Sequence, residues 1–416
     1  MGRDFQEDHF QTRTWPNGFR LIWKPLDRPV THCGLILDAG SRDDAPGEEG
    51  CAHFMEHTLF KGTQKRKAFH VLNRLDSVGG EFNASTSKED TWIYAAFLQT
   101  HLERAMELIA DITFHASFPP AEVEKERDVI LDEIDSYRDQ PVEALFDEFE
   151  ERLFAGHPLA TPVLGTPETV ERITRETLVR FRERCYVPEG MVLSVVGSHR
   201  WEEVEHLADK YFGSAPARKL NRPRHTFGAG AQFDVRRPVD SNQVHHLMGR
   251  VTVGGDHPDR MGLALLANLL GGPSMNNRLS LRVRERHGLA YNLECSYAPL
   301  TDTGVFSIYF GTDVRQHERA ESLIFKELQN VCTHKLGVRQ LHELKVQMLG
   351  HMALAQDSGH ALMTGLGKSL LQFGRVEPME VVFQEIERVT SEDLLRLANE
   401  VLPLDGLSHL AYLPGN

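Results

Sequence analysis

The stretch GCAHFMEHTLFKGT, residues 50–63, places two histidines and a glutamate inside an apolar helical pattern. Successive helical residues turn by about 100°, so His53, Glu56 and His57 project from one stripe of the helix. His53 and His57 are one turn apart, a spacing at which two imidazoles reach a single metal ion. Glu56 lies between them in the order H-x-x-E-H, which suits a carboxylate that acts on water without being a ligand. Taken alone, the pattern also describes a solvated helix face, because a chain with 21 histidines and 60 acidic residues contains such spacings by chance.

The length and charge of the chain limit the classes of protein to which it can belong. A chain of 416 residues exceeds one ordinary core and predicts about two to four domains or subdomains. Its net charge of −14 argues against nucleic-acid binding, for which a basic surface is usual. No stretch approaches the roughly 18 consecutive apolar residues that span a bilayer. We therefore expect a soluble globular protein with no nucleic-acid partner and no membrane partner.

The amino terminus and the cysteines predict a cytoplasmic location. Residues 1–15 lack the apolar core of a signal peptide and are too acidic for a transit peptide, although removal of an earlier leader stays open. The five cysteines are scattered and odd in number, which favours a reducing compartment over a disulfide framework. Cys51 lies two residues before His53 and is either a further ligand or, as its apolar neighbours favour, a small buried side chain.

Composition divides the chain into two halves. Residues 214–232 are rich in proline, glycine and basic side chains and carry no periodicity, so they predict a linker. The linker separates an N-terminal catalytic half, residues 1–213, from a C-terminal half, residues 233–416. The N-terminal half alternates strand patterns, such as residues 30–40 and 190–197, with helical ones.

The C-terminal half repeats the pattern of the N-terminal half at an offset of about 210 residues. LALLANLLGGP, residues 263–273, aligns with HFMEHTLFKGT, residues 53–63, and GVFSIYF, residues 304–310, aligns with TWIYAAF, residues 91–97. In this alignment His53, Glu56 and His57 face Leu263, Leu266 and Ala267. A repeat of this length predicts a duplicated domain that keeps the polar residues in one copy only.

A further metal ligand is expected, because a catalytic zinc site has three protein ligands. Residues 122–137 predict a helix whose apolar stripe is formed by Val123, Ile130, Ile134 and Tyr137. Glu126 and Glu133 fall on the same stripe. Buried carboxylates need partners, which a metal ion or a ligating histidine would supply. Arginines are the alternative partners for this pair.

These residues resemble the inverzincin zinc peptidases of the pitrilysin or insulinase family, most closely the branch of the mitochondrial processing peptidases and their bacterial relatives. The resemblance covers nearly the whole chain and rests on motifs that follow in order, at residues 38–63, 79–97, 126–134, 186–197 and 269–292. Relatives usually show further small residues where this chain has Pro273, Asn276 and Asn277, which leaves the geometry of that loop open.

The resemblance implies an α+β fold in two homologous halves, each a pair of α/β units with antiparallel-rich sheets and flanking helices, as in a clamshell-type metallopeptidase. It implies one Zn²⁺ per chain, with His53, His57 and Glu133 as ligands. Glu56 takes the family position of the general base. Glu126, seven residues before Glu133, matches an acidic residue that supports the site without being a firm ligand.

Two further pairs of residues are singled out by the resemblance. Arg284 and Tyr291 match an arginine and a tyrosine that close over the substrate, and Asn83 and Ala84 match edge-strand positions that pair with an extended peptide. From the residues alone, Arg284 would be an arginine at a helix C-terminus and Tyr291 an aromatic core residue. Asn83 and Ala84 would form a turn.

The implied function is zinc-dependent endopeptidase activity on peptides or unfolded segments, bound as an added strand in a closed chamber. One chain supplies half of such a chamber, so we expect a homodimer or a heterodimer with a homologous subunit. The alternatives are an active subunit that needs an inactive homologous partner and a non-catalytic scaffold subunit, although scaffold members usually lose metal ligands. The substrate, the cleavage preference, the metal loaded in the cell and the supply of Arg284 and Tyr291 in cis or in trans are left open.

Overall fold

The computed structural model describes residues 10–222 and 224–415. Residues 1–9, on which most of the expectation about a leader rests, lie outside the described residues. The strands are β1 (Gln11–Thr14), β2 (Arg20–Pro25), β3 (Val30–Leu37), β4 (Glu81–Thr86), β5 (Thr91–Leu98), β6 (Met191–Gly197), β7 (Asp234–Val239), β8 (Val244–Thr252), β9 (Ala290–Pro299), β10 (Gly304–Thr312) and β11 (Ser408–Pro414).

The α-helices are α1 (Cys51–Leu59), α2 (Ala68–Asp76), α3 (Leu102–His115), α4 (Pro120–Arg138), α5 (Pro141–Leu153), α6 (Pro167–Val170), α7 (Arg175–Cys185), α8 (Trp201–Ala208), α9 (Arg260–Gly271), α10 (His317–Thr333), α11 (Val338–Ala355), α12 (Gly359–Phe373), α13 (Met379–Arg388) and α14 (Ser391–Val401). No helix within the described ranges combines the length and the apolar character needed to cross a bilayer.

The chain forms two compact units, each built from several segments. The first contains the chain up to Ile134, Thr161–Arg224 and Ala353–Pro378, and the second contains Asp135–Ala160, His225–Met352 and the chain from Met379. The change of unit after Arg224 falls within residues 214–232. The halves 1–213 and 233–416 divide the chain by internal homology rather than by contacts, and they stay a prediction.

The two units share one sheet topology. The strand order is β1-β2-β6-β3-β5-β4 in the first unit and β7-β11-β8-β10-β9 in the second. The pairs β2 with β6 and β7 with β11 are parallel, and the other neighbouring strands are antiparallel. Apart from β1, the order and direction of the strands agree. This agreement confirms the predicted duplication and the antiparallel-rich α+β class.

Helix α9 follows β8 in the second unit as α1 follows β3 in the first. Leu263, Leu266 and Ala267, which the repeat aligns with the histidines and glutamate of α1, are all buried. The second copy has therefore replaced the polar side chains by core residues, as the alignment predicts.

Both faces of the first sheet are buried, because side chains along a strand alternate between faces. One face packs against α1 and α3, and the other packs against α12, where Ile36, Trp92 and Val192 contact Leu362 and Met363. Each fully buried aliphatic side chain contributes about 1.5–3 kcal/mol. Burial on two faces explains the continuous apolar sequence of β6.

The second sheet is covered in the same manner. Helices α9, α10 and α14 cover one face, and α5 covers the other, where Leu145 and Phe149 join Leu247 and Tyr412 in one apolar cluster. Helix α5 thus belongs to the second unit although it lies in residues 1–213, and α12 belongs to the first unit although it lies in residues 233–416. Hydrophobic periodicity predicts that a helix is buried but not which sheet it covers.

Strand β4 forms the edge of the first sheet and has no strand partner on its outer side among the described residues. Asn83 and Ala84 lie within it, opposite Tyr94 and Ile93 of β5. The turn expected from the residues alone is therefore wrong, and the edge strand implied by the resemblance is present. An edge strand leaves backbone groups for an added strand, although the N–H of Ala84 donates to Asn83 Oδ1 (2.8 Å).

Candidate metal centre

Helix α1 is anchored by a carboxylate that lies six residues before its N-terminal Gly50. Asp44 accepts hydrogen bonds from the backbone N–H groups of Gly50 (2.8 Å) and Ala52 (2.9 Å) and so satisfies donors that a helix leaves free at its first turn. Gly50 has a φ of 90° and lies against the carbonyl of Leu164, only 2.5 Å from where a Cβ would stand. The role of Asp44 is not apparent from the sequence, because a capping side chain is expected immediately before a helix.

The donor atoms of His53, His57 and Glu133 converge on one point. Glu133 Oε2 lies 3.7 Å from His53 Nε2 and 3.4 Å from His57 Nε2, and the three donor atoms lie within 4.8 Å of one another. Ligands at 2.0–2.1 Å from a tetrahedral zinc ion are about 3.4 Å apart. Two imidazoles and one carboxylate are also a donor set that catalytic zinc sites use. The three residues therefore fit a zinc ion in both spacing and chemistry.

Burial favours the neutral, metal-binding form of the first histidine. Desolvation, with a smaller effect of the neighbouring His57, lowers the pKa of His53 to about 3. A neutral imidazole keeps a lone pair on one nitrogen, and metal ligation requires that lone pair.

Glu126 binds the nitrogen of His57 that faces away from Glu133. Glu126 Oε2 lies 3.2 Å from His57 Nδ1, and its other carboxylate oxygen lies 2.8 Å from Lys61 Nζ. A carboxylate on Nδ1 fixes the N–H there and leaves the lone pair on Nε2, the arrangement that usually supports a ligating histidine. In the described residues the partners of Glu126 are thus a histidine and a lysine, not the arginines considered as the alternative.

Glu56 is held by the last residue of the edge strand. The hydroxyl of Thr86 donates a hydrogen bond of 2.5 Å to Glu56 Oε2. Burial raises the pKa of Glu56, and Glu133 raises it further, whereas the bond from Thr86 and the charge of His57 lower it. Neither Thr86 nor Lys61 was predicted from the sequence. Lys61 follows His57 by four residues, a spacing that could have indicated it.

Two features of the predicted helix around the third ligand differ from expectation. Glu126 is buried, as predicted, but the Glu133 side chain is 31% exposed and Tyr137 is 37% exposed. Tyr137 lies in the last turn of α4, beyond the apolar cluster that contains Val123, Ile130 and Ile134, so its place in the buried stripe was wrong. Cys51 is fully buried, and burial raises the pKa of its thiol.

Arg284 and Tyr291 belong to the second unit, and their predicted roles stay predictions. Arg284 lies in a short π-helix, Ser280–Glu285, and its Nε donates to Glu285 (3.0 Å). Tyr291 lies on β9, the edge strand of the second sheet, and is 82% exposed. The reading of Tyr291 as an aromatic core residue was therefore wrong, because an edge strand exposes its outer residues.

In the loop that contains Pro273, Asn276 and Asn277, the Asn277 side chain makes three hydrogen bonds to the backbone. Asn277 donates to the carbonyls of Gly272 (2.8 Å) and Ser274 (2.6 Å), and its amide oxygen accepts from the backbone N–H of Ser280 (2.8 Å). Asn277 thus orders the loop and caps the π-helix that carries Arg284.

A second group of histidines lies inside the second unit. His246 Nδ1 lies 3.0 Å from His317 Nε2, and His246 Nε2 lies 3.3 Å from His409 Nδ1. Glu321 lies beside them, and its Oε1 accepts from Arg236 (3.1 Å). Each donor atom already has a protein partner, and burial lowers the pKa of all three imidazoles. We assign this group as a chain of neutral, hydrogen-bonded histidines.

The fold and the site together define a class: a duplicated α+β protein in which His53, His57 and Glu133 of the first copy form a candidate zinc centre. The chain belongs to the insulinase family, peptidase family M16. The model of that family matches residues 26–167, and the model of the peptidase M16 inactive domain matches residues 172–348.

Similar proteins occur in several bacteria. An uncharacterized zinc protease of Mycobacterium leprae is 35% identical over 94% of this chain and 88% of its own length. An uncharacterized zinc protease of Bacillus subtilis is 31% identical over 97% of this chain and 98% of its own. Among solved structures, a peptidase M16 inactive domain from Pseudomonas fluorescens superposes with a TM-score of 0.91 over 98% of both chains at 20% identity. A protease from Helicobacter pylori gives 0.90 over 98% of this chain and 100% of its own, at 22% identity.

Proposed function

We propose that the protein is a zinc-dependent endopeptidase that hydrolyses peptides or unfolded segments, with one zinc ion per chain held by His53, His57 and Glu133. The observation that carries the proposal is the convergence of these three donors beside Glu56. Membership in a peptidase family and the printed names of the relatives support it. When bound, zinc supplies a Lewis acid that polarises a carbonyl and lowers the pKa of water.

Glu56 is the proposed general base. Thr86 donates to one of its carboxylate oxygens, and the other, which makes no hydrogen bond to the described part of the chain, would accept the proton of the attacking water. The same carboxyl then donates that proton to the leaving amine. A raised pKa suits both steps, because the group must gain and lose a proton near neutral pH.

Strand β4 is the proposed binding surface for the substrate backbone. Main-chain hydrogen bonds to the segment that contains Asn83 and Ala84 would give affinity without requiring one substrate sequence. The strand ends at Thr86, whose hydroxyl contacts Glu56, so a peptide added along β4 extends to the base.

Arg284 and Tyr291 are proposed to donate hydrogen bonds to the developing oxyanion, a contribution typical of preorganised donors. In a homodimer or a heterodimer, they would act on the zinc of their own chain or on that of a partner. The alternative is an active subunit that needs an inactive homologous partner. The scaffold alternative is disfavoured by the complete set of His53, Glu56 and His57. The cytoplasmic location stays a prediction.

The deciding experiment measures zinc content and cleavage of a quenched fluorescent peptide library by the wild type, Glu56→Gln and the control Glu203→Gln, an exposed carboxylate on α8. We expect about one zinc per chain in all three proteins and cleavage in all but Glu56→Gln. Zinc binding without cleavage by the wild type would favour the partner-dependent alternative. Absence of bound zinc from the wild type would overturn the proposal.

A further inference from the structure

We propose that Lys61 is a positioning residue of the zinc site, which fixes His57 through Glu126 and thereby sets the affinity for zinc. The proposal rests on the proposed function, because it takes His57 to be a ligand. Among the described residues, the Lys61 ammonium pairs with Glu126 and not with the proposed ligands His53, His57 and Glu133. Its influence on the site must therefore pass through Glu126.

The two oxygens of Glu126 are divided between two partners. Oε1 lies 2.8 Å from Lys61 Nζ, and Oε2 lies 3.2 Å from His57 Nδ1. The lysine thus fixes the rotation of the carboxylate about its last bond, and the carboxylate fixes the plane of the imidazole. His57 Nε2 then faces Glu133 Oε2 at 3.4 Å.

The backbone around Lys61 is itself held in place. Lys61 N–H donates to the carbonyl of Thr58 (3.1 Å), and Gly62 adopts a φ of 129° that favours glycine at this turn. Thr63 N–H donates to the carbonyl of Arg66 (2.8 Å), which closes the turn. The ammonium group therefore extends from a fixed point one turn after His57.

Burial makes the lysine necessary for Glu126. The Glu126 side chain is only 8% exposed, and a buried carboxylate whose sole partner is a neutral imidazole is poorly satisfied. Without the ammonium group, Glu126 Oε1 would lose its charged partner, and the carboxylate would no longer be held in one orientation against His57 Nδ1.

A purely electrostatic role for Lys61 is the alternative to a positioning role. Glu56, Glu126 and Glu133 bring three negative charges to one site, and a divalent ion together with Lys61 neutralises them. A lysine that acted only through its charge would repel the dication, so its removal would tighten zinc binding. A lysine that positions His57 has the opposite effect, so its removal would weaken zinc binding. The sign of the change separates the two roles.

The test measures the zinc dissociation constant by competition with a chelator, on full-length protein stripped of metal. The variants are Lys61→Met, Lys61→Arg, Glu126→Gln and the double variant Lys61→Met/Glu126→Gln. The control is Lys125→Met, an exposed lysine on α4 that pairs with Glu122. The melting temperature of each metal-free protein reports whether it is folded, and Lys61→Arg keeps the charge should Lys61→Met fail to fold.

We expect Lys61→Met to weaken zinc binding about tenfold, the lower end of the range for residues that support metal ligands. Lys61→Arg should retain most of the affinity, and Lys125→Met all of it. In the Glu126→Gln background, Lys61→Met should have no further effect. Unchanged or tighter zinc binding by Lys61→Met, or equal effects in both backgrounds, would overturn the role of Lys61 while the proposed function stands. Absence of zinc binding by the wild type would overturn both the role of Lys61 and the proposed function.

Discussion

The hydroxyl of Thr86 donates a hydrogen bond of 2.5 Å to Oε2 of Glu56. This bond joins the end of the edge strand to the proposed general base, so the orientation of the base depends on a strand that is distant from it in sequence. Thr86→Val keeps the shape of the side chain and removes the donor. We expect kcat to fall about tenfold or more with unchanged zinc content, because a mispositioned base transfers protons less effectively.

The control for this prediction is Thr86→Ser, which keeps the hydroxyl and should retain most of kcat. Steady-state kinetics on one fluorescent peptide measure both variants. A rise in KM with unchanged kcat in Thr86→Val would show that the residue serves peptide binding and not the base.

Glycine at position 367 allows α12 to lie close against the first sheet. A Cβ at Gly367 would stand 2.6 Å from the ring of Trp92, whereas at Gly365, on the same helix, it would meet no atom within 4 Å. We expect Gly367→Ala to destabilise the protein by about 1–3 kcal/mol through overpacking. Gly365→Ala should stabilise it by about 0.5–1 kcal/mol, because alanine is the better helix former. Urea unfolding measures both, and equal effects would contradict the packing of α12 on this sheet.

The sheet on which α12 packs could not be predicted from the sequence. Its apolar pattern predicts a buried helix, but the strands that it covers are more than 160 residues away in sequence, as Ser194 and Met363 illustrate. The shared topology of the two sheets was predictable, because the internal repeat aligned strands with strands. The exchange of α5 and α12 between the units was not, since it leaves no trace in local periodicity.

In the candidate site, too, some residues could be predicted from the sequence and others could not. His53, Glu56 and His57 lie within one helix, and the apolar stripe of α4 pointed to Glu126 and Glu133 as a pair, because buried carboxylates need partners. The resemblance then selected Glu133 as the predicted ligand. Thr86 and Asp44 could not be predicted from local spacing, because each acts across a contact between separate elements. Local spacing reveals donors on one helix, whereas the residues that orient them depend on tertiary packing.

The chain of histidines in the second unit predicts acid sensitivity. His246 faces His317, His409, Glu321 and Arg236, and burial is the largest cause of its lowered pKa. The folded protein therefore binds fewer protons here than the unfolded chain, in which a histidine titrates near 6.5. The resulting stability is complete above about pH 6.5 and is lost as the pH falls below it.

We expect His246→Gln to make the free energy of unfolding less dependent on pH. Each histidine held neutral contributes a slope of about 1.4 kcal/mol per pH unit below its unfolded pKa. The measurement is the free energy of unfolding of the metal-free protein in urea at about pH 7.5 and about pH 5, on either side of the reference histidine pKa. Between these two conditions, this free energy should fall less in the variant than in the wild type. The exposed histidine variant His334→Gln is the control, and parallel curves for His246→Gln and the wild type would contradict the prediction.

Zinc should stabilise the folded chain much less when Glu133 is replaced. Glu133 Oε2 lies within 3.7 Å of both histidine nitrogens, so Glu133→Gln removes the charged donor with little change of shape. A ligand that binds only the folded state raises stability with its concentration, and each tenfold loss of affinity removes about 1.4 kcal/mol of that gain. We expect added zinc to raise the melting temperature of the metal-free wild type and of Asp135→Asn, an exposed carboxylate on the same helix, but to raise that of Glu133→Gln much less.

The side chain of Glu133 is partly exposed and lies outside the apolar core, so all three metal-free proteins should melt at similar temperatures. An equal zinc-dependent rise in all three would show that the ion binds without Glu133.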